Sequence, residues 1–193
     1  SLQSGDYNIV LGQDANCNSQ NGNDNIIIGR GAGKAGCSGQ PANCNIFIGT
    51  YANGNTSLTS CQACYNIGIG YCALGQIGNN DNIAIGRYAN CGGNSACCNI
   101  SLGVYAGANP GGGGQCNISI GNCSGCGTYG DDNLFIGHST GKTGLAAACY
   151  NTVIGNFAGN SVTGQRNTFL GYLAGNTTSS GCCNVAIGYD VEL

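Results

Sequence analysis

Residues 82–90 read Asn82-Ile83-Ala84-Ile85-Gly86-Arg87-Tyr88-Ala89-Asn90, and the chain repeats this pattern from end to end. The unit is Asn, an aliphatic residue or Thr, any residue, Ile or Leu, then Gly. Its Asn stands at Asn8, Asn25, Asn45, Asn66, Asn82, Asn99, Asn117, Asn133, Asn151, Asn167 and Asn184, eleven copies at intervals of 16–21 residues. The closing Gly is Gly12, Gly29, Gly49, Gly70, Gly86, Gly103, Gly121, Gly137, Gly155, Gly171 and Gly188. Three residues further on stands a small residue: Ala15, Ala32, Ala52, Ala73, Ala89, Ala106, Ser124, Thr140, Ala158 and Ala174, with Val191 the exception.

Each part has a physical reading. Ile83 and Ile85, like Ile26 and Ile28, lie two apart, the period of a strand, and place two aliphatic side chains on one face. Asn before the strand can bond turn backbone and tolerates left-handed conformations. Gly after it permits a corner where a Cβ would clash. The small residue fits a narrow interior, and the spacer of variable length is a surface loop. A helix is excluded, since apolar spacing of two makes no helical stripe and each interior Gly would cost about 1 kcal/mol. An antiparallel sandwich also suits short strands, but near-identical units favour parallel stacking, Asn over Asn and Ile over Ile. The expected fold is all-β: a parallel β-solenoid (β-roll) of about eleven rungs, forming one domain over residues 1–193.

The middle strand position points the other way. It reads Val10, Ile27, Phe47, Gly68, Ala84, Ser101, Ser119, Phe135, Val153, Phe169 and Ala186, none of them charged, where solvent-facing positions are normally polar. Two readings stand: a plain small-residue surface, or a face buried against another chain. Tyr51, Tyr71, Tyr88, Tyr105, Phe157 and Tyr172, after the Gly, either support such contact or form external stacks.

Composition closes off other classes. Of 193 residues 37 are Gly, only 7% are charged, and the net charge is -3. No basic patch is available for nucleic acid. The chain is rich in Ile, unlike charged disordered chains. It lacks the apolar run of about 18 residues that a membrane helix needs, and the Gly period of collagen. Residue 1 is Ser and no signal peptide is visible, so the expectation is a removed leader or a piece of something longer.

The motif, as in residues 82–90, resembles the head repeats of trimeric autotransporter adhesins. It is also similar to the Asn-Ile/Thr-x-Ile-Gly-x-x-Ala-Gly repeats of phage tail fibres and related viral fibre proteins. The resemblance covers essentially the whole chain. It implies a trimeric parallel β-roll fibre on a cell or virion surface, structural or adhesive, with a receptor or cell-surface glycan as a possible partner.

The cysteines follow the repeat. Cys44, Cys98, Cys116 and Cys183 immediately precede a motif Asn; Cys64, Cys97, Cys149 and Cys182 lie two before one; Cys17, Cys91 and Cys126 lie nine after one. Cys37, Cys61, Cys72 and Cys123 complete the fifteen. Equal positions on stacked rungs lie about 4.8 Å apart, inside the disulfide range of about 4.4–6.8 Å between Cα atoms. Pairing of Cys97 or Cys98 with Cys116, and of Cys44 with Cys61 or Cys64, is therefore expected, and with it an oxidising, extracellular compartment. Free buried thiols and a metal site are the alternatives. Cys61-x-x-Cys64 and Cys123-x-x-Cys126 have ligand-like spacing, but CxxC arises freely at this cysteine density. An odd count leaves at least one cysteine unpaired within the chain.

No active site, metal or cofactor is expected. His138, the single His, has Ser139 and Asp131 nearby in sequence, neighbours that such a chain supplies freely. Polysaccharide-acting solenoids need clustered acids, and Asp24, Asp81 and Asp132 stand one before a motif Asn, where turn formation explains them. Ice binding would need a Thr column, and the Thr are scattered. The ends carry the last expectation. Chains joined head to tail would place Asn184 and the next Asn8 17 residues apart, the internal period. Ile187 would then meet Ile9 and Leu11 of the next copy; a fragment of a longer array gives the same arithmetic. Self-association, head-to-tail or trimeric, is the partner expected.

Overall fold

In the computed structural model of the chain, the described residues are 5–17, 22–34, 42–54, 63–75, 80–92, 96–109, 113–128, 130–142, 148–161, 163–177 and 181–192. Each copy of the motif forms one three-residue strand: β1 Ile9–Leu11, β2 Ile26–Ile28, β3 Ile46–Ile48, β4 Ile67–Ile69, β5 Ile83–Ile85, β6 Ile100–Leu102, β7 Ile118–Ile120, β8 Leu134–Ile136, β9 Thr152–Ile154, β10 Thr168–Leu170 and β11 Val185–Ile187. They make one sheet in chain order. Neighbours are parallel and in register, Ile83 opposite Ile100, Ala84 opposite Ser101, Ile85 opposite Leu102. The fold is the parallel β-solenoid that the repeat dictates.

Each coil turns its corners through left-handed backbone. The motif Gly sits at φ between 129° and 138°, a region essentially closed to residues with a Cβ. The residue before each motif Asn also has positive φ, although it is never Gly: Asp24, Cys44, Tyr65, Asp81 and Cys98 are examples at 57–61°. So the Asn is not itself left-handed, as its turn role suggested; its predecessor carries that conformation. A non-Gly left-handed residue costs of order 1 kcal/mol. It is held here because both of its flanks are locked into inter-rung hydrogen bonds.

The middle strand position lies inside its own coil, which corrects both readings of it. Ile27, Phe47, Ala84, Phe135, Val153, Phe169 and Ala186 are buried. Asn and the middle residue are two apart, so they share the inner face. The Ile or Leu on either side of the middle residue therefore face outward. The interior is narrow, and in several rungs a large side chain is balanced by a small one. At β8 and β10, where Phe fills the strand position, Gly stands six residues later: a Cβ on Gly141 or Gly175 would collide with the ring of Phe135 or Phe169. At Gly68 the order reverses, and Leu74 occupies the vacated space, its Cδ1 2.9 Å from where a Gly68 Cβ would be. Close packing of this kind leaves little tolerance for a change of volume.

The apolar core is divided. One cluster runs from Ile27 to Ala96 and the other from Phe135 to Ala186. Between them β6 and β7 bring Ser101 and Ser119 inward. There the core is replaced by a polar cavity of about 20 Å³, lined among others by Asn99, Asn109, Ser119 and Thr128. This is room for about one water molecule.

Candidate functional site: the outer face and the cysteine columns

The motif Asn residues form a buried ladder. Asn151 donates its backbone N–H and its Nδ2 to Asn133 Oδ1 at 2.9 and 3.1 Å. It also donates Nδ2 to the Gly164 carbonyl at 3.0 Å. Its own Oδ1 accepts the N–H and Nδ2 of Asn167 at 2.9 and 3.1 Å. The pattern runs from Asn8 to Asn184, except that Nδ2 of Asn99 and of Asn117 donates to the Gly114 and Gly130 carbonyls and not to the preceding amide oxygen. Each amide thus satisfies two rungs and a spacer carbonyl. Beside it runs the Gly column, each member facing the carbonyl of the next. Both sets are structural elements of the stack.

The outer face carries two columns that run over every strand. Its two columns run Ile9, Ile26, Ile46, Ile67, Ile83, Ile100, Ile118, Leu134, Thr152, Thr168, Val185 and Leu11, Ile28, Ile48, Ile69, Ile85, Leu102, Ile120, Ile136, Ile154, Leu170, Ile187. All but two of these positions are aliphatic, and none is charged. Ten intervals of about 4.8 Å give a stripe roughly 48 Å long, and a width of about 10 Å gives an area of roughly 500 Å², near the upper end for a monomer's largest apolar patch. Ile85 and Leu170 are exposed in mid-stripe, as are Ile9, Leu11 and Ile187 on the edge strands. The last three are thus outer-face residues, whether or not the ends meet another copy. Thr152 and Thr168 pair with each other, with Leu134 and Val185 on either side, so Thr makes no continuous column.

The aromatics after the Gly form external stacks within the chain. Tyr51, Tyr71, Tyr88 and Tyr105 follow one another at centroid distances of 6.3, 5.3 and 4.9 Å. Arg30 and Arg87 lie over these rings. A second stack joins His138, Phe157, Tyr172 and Tyr189. His138 is edge-on to Phe157, while Asp131, at the other end of β8, accepts the Gln115 N–H. The fold sets these two apart rather than joining them in a catalytic pair.

Apart from Cys17, the described cysteines are free thiols; Cys37 and Cys61 lie outside the described residues. This corrects the expected stapling by Cys97, Cys98 and Cys116 and by Cys44 and Cys64. The Cα distance alone was misleading. Equal rung positions point their Cβ atoms in parallel, so the Cβ separation stays near the rung spacing of about 4.8 Å, whereas a disulfide needs about 3.5–4.5 Å. Cys44 and Cys64 occupy different corner positions, one and two residues before the Asn. Two residues before the Asn, a thiol serves as acceptor. Cys149 Sγ receives the Asp131 N–H at 3.3 Å and Cys182 Sγ that of Gln165 at 3.5 Å. Asn23 Oδ1 and Asn80 Oδ1 do the same for Asp6 and Cys64.

Burial raises the Cys72 and Cys126 thiols and pushes Cys91 up to about 11, with the nearby Cys72 thiol adding to the effect on Cys91. The thiolate is the nucleophile. At pH 8 the thiolate fraction of Cys91 is therefore about 100-fold below that of a thiol titrating near 9. Iodoacetamide labelling followed by peptide mass spectrometry should show Cys91 among the slowest sites, accelerating up to pH 11. Labelling of Cys91 at the rate of an exposed thiol at pH 8 would contradict this environment.

The chain matches no protein-family model, no curated protein and no solved structure. Its class is set by the fold alone: a parallel β-solenoid repeat protein, cysteine-rich, with none of its described cysteines in a disulfide. No helix among the described residues is long and apolar enough to cross a membrane.

Proposed function

We infer that this chain is a non-catalytic rod segment of a structural fibre, in which identical solenoids pack side by side through the outer Ile/Leu face. The observation that carries the reading is the uncharged, largely aliphatic double column running over all eleven strands. A continuous apolar stripe at the top of the monomer range, unlike scattered single residues, marks an interaction site. A globular partner has no reason to match its spacing, whereas a parallel copy presents the same ladder with the same rise along its whole length. Three copies around one axis, the arrangement that the sequence resemblance implies, would bury every stripe and close the assembly. The aromatic stacks remain outside for contact with other molecules.

Analytical ultracentrifugation tests this. The wild type should sediment as a closed multimer, a trimer in the preferred form. Ile85→Lys with Ile120→Lys puts two charges in the stripe without touching the core, and should give a folded monomer with unchanged circular dichroism. A wild type that stays monomeric at high concentration, or a double variant that keeps the multimer, overturns the reading.

A further inference from the structure

One column on the surface brings chemistry-bearing side chains together on successive rungs. The residues just before the motif Asn on β5, β6, β7 and β8 are Asp81, Cys98, Cys116 and Asp132. Cys98 and Cys116 are both exposed, both left-handed at φ 60° and 56°, and stand at equal positions on paired rungs. The Cys116 N–H donates to the Cys97 carbonyl at 3.1 Å, which fixes the two corners against each other. The Cys98 thiol contacts the thiols of both Cys97 and Cys116. Asp81 acts electrostatically on Cys98, and Asp131 and Asp132 on Cys116. No three Cys, His, Asp or Glu among the described residues converge as ligands for one ion.

We propose that Cys98 and Cys116 form a two-coordinate site for a soft monovalent d10 cation, with Cu(I) as the ligand of choice. The rung spacing that is too wide for a disulfide suits a linear S–metal–S bridge. A metal–thiolate bond of about 2.3 Å, doubled, spans about 4.6 Å, close to the rung spacing of about 4.8 Å. Soft thiolates select Cu(I) among biological metals. Zn(II) wants four ligands, and no such set converges here among the described residues. On binding, two S–H bonds break and two S–Cu bonds form. The two protons go to solvent, copper stays in the +1 state, and the site changes from neutral thiols plus a cation to a bis-thiolate anion. The nearby carboxylates of Asp81, Asp131 and Asp132 attract the incoming cation.

The same column contains its own control. Cys44 is flanked by Asp24 and Tyr65, and Cys183 follows Arg166, so neither has a thiol neighbour within the column. The full reduced chain is titrated anaerobically with Cu(I) against bicinchoninate, as wild type, C98S/C116S and C44S/C183S. The expected result is one bound equivalent fewer in C98S/C116S than in wild type, with C44S/C183S unchanged. The lost equivalent should carry its share of the thiolate-to-copper absorption in the ultraviolet. Unchanged circular dichroism in C98S/C116S separates ligand loss from misfolding. The proposal fails if C98S/C116S keeps the wild-type stoichiometry, if C44S/C183S loses as much, or if Zn(II) competes with Cu(I) for this pair on equal terms. None of these readouts depends on the oligomeric state.

Discussion

Gly103→Ala is expected to lower the melting temperature by roughly 10 °C or more, the equivalent of about 4 kcal/mol in a chain of this size. Two independent costs combine. Gly103 has φ 136°, where a residue with a Cβ is strained by about 1–3 kcal/mol. The added Cβ would also lie 2.5 Å from the Gly121 carbonyl oxygen and 2.8 Å from its carbon. Those are backbone atoms, themselves held by the Gly121 N–H to Leu102 carbonyl bond at 2.8 Å, and they cannot move without opening the stack. Forced separation of this kind typically costs about 1–3 kcal/mol. Gly188 separates the two effects. Its φ is 138°, yet its Cβ would meet only the end of the Val191 side chain, at 3.0 Å. Gly188→Ala should therefore show the conformational cost alone and the smaller loss. Equal melting shifts for the two variants would mean that the column of close backbone approaches contributes nothing. Because neighbouring rungs support only each other, hydrogen exchange in Gly103→Ala should rise first around β6 and β7.

The repeat made the architecture legible because its signals are local. The Gly column, the strand period of two and the interval between motifs each reflect backbone geometry, and a sequence displays backbone geometry directly. The assignment of faces was harder, since Ile outside and Ala, Ser or Gly inside inverts the usual pattern. A signal for it was present nevertheless. Asn and the middle residue share parity, and at three rungs the middle residue is offset in size by the one six later: Gly68 with Leu74, Phe135 with Gly141, Phe169 with Gly175. Such compensation belongs to a filled interior. The state of the thiols was illegible for a different reason. Whether stacked cysteines can bond depends on the angle between their Cβ vectors, and spacing in sequence carries no angle. The extracellular expectation rested on those disulfides and loses that footing. The left-handed residue before each Asn was hidden because Tyr, Asp, Cys and Arg all occupy it; tight stacking, rather than residue type, holds it there.

Asn151→Ala is the second change expected to be severe, at roughly 2–5 kcal/mol. Asn151 is buried, and besides its carbonyl, which accepts the Leu134 N–H, it makes five hydrogen bonds, to Asn133, Gly164 and Asn167. Of these five, alanine keeps only the backbone donation to Asn133. The Asn167 N–H loses its acceptor, and the Gly164 carbonyl loses the Asn151 Nδ2 donor; each buried group so stranded costs about 1–3 kcal/mol. Asn167 Nδ2 still reaches the Gly181 carbonyl at 2.9 Å, which limits the damage on that side. Asn151→Asp distinguishes loss of hydrogen bonds from loss of volume, because shape is kept and the donor is exchanged for a titratable oxygen. When protonated, the new carboxyl can still donate to one of the two oxygens, Asn133 Oδ1 or the Gly164 carbonyl. When ionised, it faces both without a donor, in a site that disfavours charge. Its pKa in the folded chain is then raised, so the variant is most stable below the ordinary carboxyl range, and its stability falls as pH rises through the raised value. Denaturant melts at acid and neutral pH should show Asn151→Asp near wild type at the acid end and approaching Asn151→Ala at neutrality. A pH-independent deficit would mean that the ladder acts through packing, with its hydrogen bonds contributing little.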